Sequence, residues 1–156
     1  MKGHEKVIEA LNDLLSDELT AINQYMVHSE MCKDWGFDRL HELIEKRAID
    51  EMRHAEAHIG RILFLEGQPV VSRYKEILIG STVAEMIKND ELAELDAIKA
   101  YNDAIALARE LGDEGTAELL VNILQDEEDH LDWAEEQQDQ IEQMGLENYL
   151  AQQVEE

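Results

Sequence analysis

Two four-residue stretches decide the fold, Glu51-Met52-Arg53-His54 and Glu127-Glu128-Asp129-His130. In each stretch a glutamate precedes a histidine by three residues, so on a helix both side chains lie on one face. Each stretch also stands within a long segment in which apolar residues recur every three or four positions. That period predicts an amphipathic helix. We therefore expect two long helices that each carry a Glu/His pair on the core-facing side.

The same apolar period covers most of the 156 residues and predicts an all-α chain. It is interrupted by glycines and by the single proline, Pro69, which end helices. We expect one domain spanning residues 1–156. Its predicted helices cover about 5–34, 37–66, 82–111 and 115–144, with a short fifth helix at about 146–154.

Connection lengths predict how the helices are arranged. The breaks at 34–37 and 112–115 are short, so the first and second helices should be antiparallel neighbours, as should the third and fourth. The connection from 67 to 81 is longer, and at about 3.3 Å per residue it can run the length of a helix. The predicted fold is a four-helix bundle made of two hairpins and one long crossover. At the end of that crossover, Thr82 and Glu85 have the spacing of a capping box.

The two halves of the chain match without gaps at an offset of 76 residues, which indicates a duplicated hairpin. Tyr25 falls on Tyr101 and Gly36 on Gly112, and most other matches are apolar. Three ionisable residues per half also match. They are Glu18, Glu51 and His54 in the first half, and Glu94, Glu127 and His130 in the second.

All six residues lie on the stripes that should face the core, where an unpaired ion costs several kcal/mol. Two metal ions would remove this penalty, whereas a water-filled polar core is the alternative. Carboxylates and imidazoles suit iron or manganese. Structural zinc usually recruits thiolates, and the only cysteine, Cys32, lies elsewhere.

Within such a centre each ligand has an expected place. Glu18 and Glu94 would be terminal ligands, Glu51 and Glu127 would bridge the ions, and His54 and His130 would complete the two coordination spheres. Tyr25 and Tyr101 are either hydrogen-bond partners of these ligands or ordinary core tyrosines.

Charge and composition limit the possible partners. The formal net charge of -24 should repel nucleic acid and anionic lipid and attract cations. No apolar run approaches the roughly 20 residues that cross a bilayer. The N-terminus lacks the pattern of a signal peptide, and a single cysteine cannot form an internal disulfide. We expect a cytoplasmic protein that binds neither nucleic acid nor membranes.

Several segments resemble those of bacterioferritins, and the likeness covers nearly the whole chain. They are MKG at 1–3, ELTAINQY at 18–25, IDEMRHA at 49–55, RILFLEG at 61–67, DEEDHLDW at 126–133 and GLENYL at 145–150. The resemblance implies a ferritin-like bundle that assembles from dimers into a hollow shell of twenty-four subunits. It also implies a ferroxidase, which oxidises Fe(II) with O2 or H2O2 at a dinuclear iron centre and stores Fe(III) mineral inside the shell. A ferredoxin-type protein is the expected reductant for iron release.

The resemblance further implies haem b, bound between two subunits through one methionine from each. Met52 stands at the matching position and has no counterpart in the second half. There are departures from the family pattern. Many members carry histidine at position 46, paired with Asp50 as an iron site on the inner surface, whereas this chain has Lys46. Glu45 and Met26 stand where the family often has aromatic residues near the haem.

Three rival interpretations remain. A rubrerythrin-like di-iron peroxidase shares the bundle and the Glu/His pairs, but commonly adds a cysteine-rich iron domain that this chain has no thiols to build. An acidic helical scaffold with a polar core would bind no metal. A DNA-protecting mini-ferritin is disfavoured because its ligands lie between subunits, whereas both ligand sets here belong to one chain.

Overall fold

The computed structural model describes residues 1–155 and contains five helices and, within that range, no strand. They are α1 (Glu5–Asp34), α2 (Asp38–Phe64), α3 (Val83–Glu110), α4 (Glu114–Met144) and α5 (Leu146–Ala151). The all-α fold predicted from the sequence is confirmed. The ends of α1 to α4 fall within two residues of the expected bounds. Residue 156 of the expected domain lies outside the described residues.

The fifth helix ends three residues earlier than expected. After Ala151 the chain turns, and the carbonyl of Gln153 accepts a hydrogen bond from the backbone N–H of Arg39 at 3.0 Å. This N–H lies in the first turn of α2, where a helix has no partner of its own. Tyr149 is fully buried, and its hydroxyl donates to Gln137 at 2.7 Å. The end of the chain is thus fixed to the bundle.

Both hairpins turn on the glycines that the duplication pairs. Gly36 has φ +82° and Gly112 has φ +75°, a conformation that glycine adopts without strain. In each turn the residue after the glycine donates back into the helix, from Phe37 to Cys32 at 2.9 Å and from Asp113 to Ala108 at 2.8 Å. α1 therefore packs closely on α2, and α3 on α4.

The crossover between α2 and α3 contains neither helix nor strand and runs along α1. Polar side chains of α1, spaced four or eight residues apart, accept hydrogen bonds from the crossover backbone at 2.7 to 3.0 Å. The acceptors are Asn12, Thr20, Gln24 and His28, and the donors are the N–H groups of Val70, Lys75, Leu78 and Gly80. These bonds satisfy backbone groups that would otherwise lack partners.

The start of α3 is capped as predicted in one respect. The Thr82 hydroxyl accepts a hydrogen bond from the backbone N–H of Glu85 at 3.2 Å. The Glu85 carboxylate, however, accepts from the Ser81 hydroxyl at 2.5 Å. This differs from a full capping box, in which that carboxylate would reach the backbone of the cap residue.

Two apolar clusters fill the bundle on either side of its middle. One is formed by the first half of α1, the second halves of α2 and α3, and the first half of α4, and it includes Leu11, Leu14, Ile62, Ile105 and Leu120. The other lies at the opposite end and includes Cys32, Leu40, Ile44, Met86 and Ile87. The six predicted ligands lie between the clusters. Within residues 1–155, no helix combines the length and apolar character needed to span a bilayer.

Candidate metal centre

The four long helices bring the six predicted ligands together in the middle of the bundle. α1 and α3 each supply one glutamate, and α2 and α4 each supply a Glu/His pair. None of the six is more than 6% exposed to solvent. Carboxylates are rarely buried this completely without partners. The duplicated ionisable residues therefore form one interior cluster rather than a solvated surface.

Their ligand atoms form two groups of four, within each of which all atoms lie within 4.8 Å of one another. One group contains Glu18, Glu51, His54 and Glu127, and the other contains Glu51, Glu94, Glu127 and His130. Glu51 and Glu127 belong to both groups. This sharing is the arrangement expected for two carboxylates that bridge a pair of ions.

Both imidazoles point Nδ1 into the cluster. Nδ1 of His54 lies 2.9 Å from a Glu127 oxygen and 3.6 Å from an oxygen of Glu18. Nδ1 of His130 lies 3.0 Å from Glu51 and 3.6 Å from Glu94. Each histidine thus lies nearest to the α2 or α4 glutamate of the opposite hairpin, and Nδ1 is the nitrogen available to a metal.

The outer nitrogens of the imidazoles contact two aspartates that the sequence prediction missed. Nε2 of His54 lies 2.9 Å from the Asp126 carboxylate, and Nε2 of His130 lies 3.0 Å from that of Asp50. If Nε2 carries the proton and donates it to the carboxylate, Nδ1 is left free to bind a metal. A signal for this pair was present, because Asp50 and Asp126 are separated by the same 76 residues as the ligands.

The two paired tyrosines lie beside the cluster and bond to its glutamates. The Tyr101 hydroxyl donates to Glu18, and the Tyr25 hydroxyl donates to Glu94. Both rings are buried, and burial raises the pKa of each phenol well above its ordinary value. Both tyrosines therefore remain protonated donors, so the structure favours the hydrogen-bonding role over simple core packing.

His58 extends one of these contacts. Its Nε2 lies 2.6 Å from the Tyr101 oxygen, and since the phenol proton goes to Glu18, the imidazole must donate. Burial lowers the pKa of His58 to about 4, so the ring is neutral near pH 7. His58, Tyr101 and Glu18 form a continuous hydrogen-bonded chain.

Electrostatics within the cluster are those of a site that lacks its cations. Burial alone would raise the pKa of Glu18, but hydrogen bonds from Glu51 and His54 outweigh it and lower that pKa to about 2. Burial and the charges of Glu18 and Glu127 raise the pKa of Glu51 well above its usual range. Burial opposes the charge on His54, yet its contacts with Glu127 and Glu18 raise its pKa to about 11. Protons thus hold the cluster together where no metal is bound, and metal binding would release them.

Hydrogen bonding in the cluster remains incomplete. Ten buried side-chain nitrogen and oxygen atoms in residues 1–155 lack a hydrogen bond of acceptable geometry, and seven of them belong to the six predicted ligands. Both Nδ1 atoms and at least one oxygen of every glutamate are among the seven. Buried polar atoms are nearly always satisfied, so this concentration is unusual. Hard or borderline metal ions would satisfy these atoms.

Two cavities reach the cluster from opposite sides. A cavity of about 390 Å³ opens beside α1, α3 and the crossover, and its lining includes Glu18, Glu94, Asp13 and Lys75. A second cavity of about 280 Å³ lies beside α2 and α4. It is lined by Leu43, Lys46, Arg47, Asp50, Asp126, Asp129 and His130. The cluster is buried but not sealed.

Met52, the expected haem ligand, lies apart from the six-residue cluster. It is 46% exposed on α2, and Ile49 and Met26 nearby in the fold's α1/α2 hairpin are 40% and 49% exposed. Lys46 and Asp50 line the second cavity together. Since the Asp50 carboxylate contacts His130, it is already engaged away from an independent inner-surface iron site.

The chain matches the model of the ferritin-like domain family over residues 8–144. It is 43% identical to a bacterioferritin of Mycolicibacterium paratuberculosis over 152 residues, which cover 97% of this chain and 96% of the relative. It is 42% identical to a bacterial ferritin of Synechocystis over 155 residues, or 99% of each chain. A bacterioferritin of Brucella melitensis is 40% identical over 96% of this chain and 92% of its own length. The chain therefore belongs to the bacterioferritins, within the ferritin family.

Proposed function

We propose that this protein stores iron by oxidising Fe(II) at the six-residue cluster and holding Fe(III) mineral inside a shell of twenty-four copies. Iron storage is the function that its bacterioferritin relatives support. The observation that carries the oxidation step is the set of seven unpartnered ligand atoms, which fall into two overlapping groups of four. Each group has the donor set of an iron site.

In this proposal Fe(II) is the substrate. Glu18 and Glu94 each hold one ion, Glu51 and Glu127 bridge both, and His54 and His130 bind one ion each through Nδ1. Two Fe(II) ions held side by side supply two electrons to one molecule of O2 or H2O2, which avoids one-electron oxygen radicals.

The surrounding residues prepare the site for this reaction. Asp126 and Asp50 hold the imidazoles with Nδ1 directed inward, and the two tyrosines hold one oxygen of Glu18 and Glu94. Little side-chain rearrangement is then needed when ions arrive, because the ligands are already oriented. The net charge of -24 raises the local concentration of Fe(II) around the molecule.

Haem b binding at Met52 is the second part of the proposal. The thioether is exposed beside other exposed apolar side chains of the α1/α2 hairpin, including Met26, Val27 and Ile49. An apolar face of this kind fits a haem shared with a second copy of the chain, and methionine is a suitable axial ligand. The haem would provide an electron path for a ferredoxin-type reductant during iron release.

The assembly can be tested by native mass and size-exclusion chromatography. We expect a particle near twenty-four copies of the 17.9 kDa chain, built from dimers. A rubrerythrin-like peroxidase would instead form a small oligomer. Cys32 is the only thiol, and it is buried and unpaired, which suits action in the reducing cytoplasm.

The oxidation step is tested by anaerobic titration with Fe(II) followed by exposure to air. Two ions should bind per chain, and their oxidation should be a rapid phase. Glu51→Ala should abolish that phase, because it removes a bridging ligand of both ions. Glu56→Ala, an exposed glutamate on the same helix, is the matched control. A rapid phase that survives in Glu51→Ala would contradict the proposed centre.

A further inference from the structure

An ion pair stands at the outer end of the larger cavity. The ammonium nitrogen of Lys75 lies 3.0 Å from the Asp13 carboxylate and 3.5 Å from that of Asp17. The side chains of Lys75 and Asp13 are each about half exposed, whereas that of Asp17 is 21% exposed. All three residues line the cavity of about 390 Å³.

The backbone holds this lysine in place. Its N–H donates to the Thr20 hydroxyl at 2.7 Å, and that hydroxyl donates to the carbonyl of Ser16 at 2.7 Å. The crossover is thus fixed to α1 at this residue, and the ammonium group can reach both aspartates. Lys75 is the only lysine or arginine among the residues that line this cavity.

The inner end of the same cavity carries the unpartnered atoms. Oε2 of Glu18 and Oε2 of Glu94 are buried without a hydrogen bond, and both residues line the cavity. A cation that enters between Asp13 and Asp17 would therefore meet carboxylate oxygens at both ends of its path. The second cavity offers less, since Lys46 and Arg47 line it along with its aspartates.

We propose that Asp13 and Asp17 form a transient divalent-cation site on the path to the buried centre, and that the Lys75 ammonium holds this site until a divalent ion displaces it. The inference rests on the proposed function, because it concerns access to the same centre. An exposed ion pair contributes little stability, so a divalent ion can replace the ammonium group. While the ammonium remains, its charge opposes the approach of another cation. Lys75 therefore limits the rate at which metal reaches the centre without changing what the centre binds.

The test measures Co(II) arrival rather than oxidation. Co(II) bound by carboxylates and imidazoles absorbs visible light, so stopped-flow mixing of the full-length protein with Co(II) gives a binding rate and a final spectrum. Lys75→Met keeps the length of the side chain and removes its charge. Lys99→Met is the matched control, because it makes the same change in net charge at an exposed Lys99–Asp103 pair outside the cavity.

We expect Lys75→Met to speed Co(II) binding about tenfold at low ionic strength, and Lys99→Met to change it less than about twofold. The final spectrum and stoichiometry should be those of the unaltered chain. Asp13→Asn should slow binding, because it removes one carboxylate from the transient site. The advantage of Lys75→Met should shrink in 0.5 M salt, which screens exposed charges.

Equal rates for Lys75→Met and Lys99→Met would overturn the inference. So would slower binding in Asp129→Asn together with an unchanged rate in Asp13→Asn, since Asp129 lines the opposite cavity. Failure of the unaltered protein to bind Co(II) would contradict both the centre and this path. Normal binding with no effect of Lys75→Met would contradict the path alone.

Discussion

Replacing Asp126 with alanine should weaken metal binding at the centre although Asp126 is not a ligand. Its carboxylate lies 2.9 Å from Nε2 of His54 and holds the ring with Nδ1 turned toward Glu127. Without that carboxylate the imidazole can rotate, and its neutral form can place the proton on Nδ1, where it blocks the metal. Partners of metal-bound histidines typically contribute about 10- to 100-fold in affinity.

The size of the effect follows from solvent exposure. The Asp126 side chain is 57% exposed, so water screens its bond to His54, and we expect a loss of about tenfold. The Asp50 side chain is 35% exposed and lies 3.0 Å from His130, so Asp50→Ala should cost more than Asp126→Ala. Asp126→Asn should recover part of the affinity, since an amide oxygen still accepts the Nε2 proton.

The assay is competitive titration of Co(II) against a chelator of known affinity, monitored by the visible bands of the bound ion. Asp129→Ala is the control, because this neighbouring residue on α4 is exposed and makes no contact with either imidazole. An Asp126→Ala affinity equal to that of Asp129→Ala would refute the orienting role. A changed spectrum at full occupancy would show that Asp126 acts on the ligand geometry as well.

Three further predictions concern the crossover, pH and haem. His28→Ala removes the acceptor of the Gly80 N–H and should lower the free energy of unfolding by about 1–3 kcal/mol in urea titrations, whereas removing the exposed His4 imidazole should have a smaller effect. The pKa of His58 falls from 6.5 to about 4 on folding, so between those pH values the unfolded chain takes up a proton that the folded chain does not. The metal-free protein should therefore lose up to about 3 kcal/mol of stability as pH falls from 6.5 to 4, and His58→Gln should lose less over that range. Met52→Leu should abolish the haem absorbance of reconstituted protein while Fe(II) oxidation continues, and retained haem absorbance in this variant would contradict Met52 as the axial ligand.

The long helices and the grouping of six ionisable residues could be read from the sequence for physical reasons. A four-helix bundle buries one stripe of each helix, so a charged residue on that stripe has to be compensated inside the protein. The offset of 76 residues then matched Glu18 with Glu94 and His54 with His130, so both hairpins supply equivalent residues. Helix period, rather than any single motif, carried this part of the prediction.

The hydrogen bonds around the cluster could not be predicted in the same way. Asp50 and Asp126 stand next to bridging glutamates, and only the relative rotation of α2 and α4 brings each carboxylate to the other hairpin's histidine. The crossover has no periodic pattern, so its path along α1 depends on contacts such as Gly80 with His28. The early end of α5 likewise depends on a contact distant in sequence, between Arg39 and Gln153.

These contacts give the duplication a consequence for the centre as a whole. Four bonds around the ligands all join one hairpin to the other: Tyr25 to Glu94, Tyr101 to Glu18, His54 to Asp126 and His130 to Asp50. A single hairpin therefore contains ligands but cannot orient them. α2 and α4 have few close backbone contacts with each other, so side chains of the cluster provide much of their connection. Without cations that connection depends on protons shared among carboxylates that repel one another, whereas bridging ions would attract Glu51 and Glu127 together. The same buried charges that bind the metal thus make the union of the two hairpins depend on it.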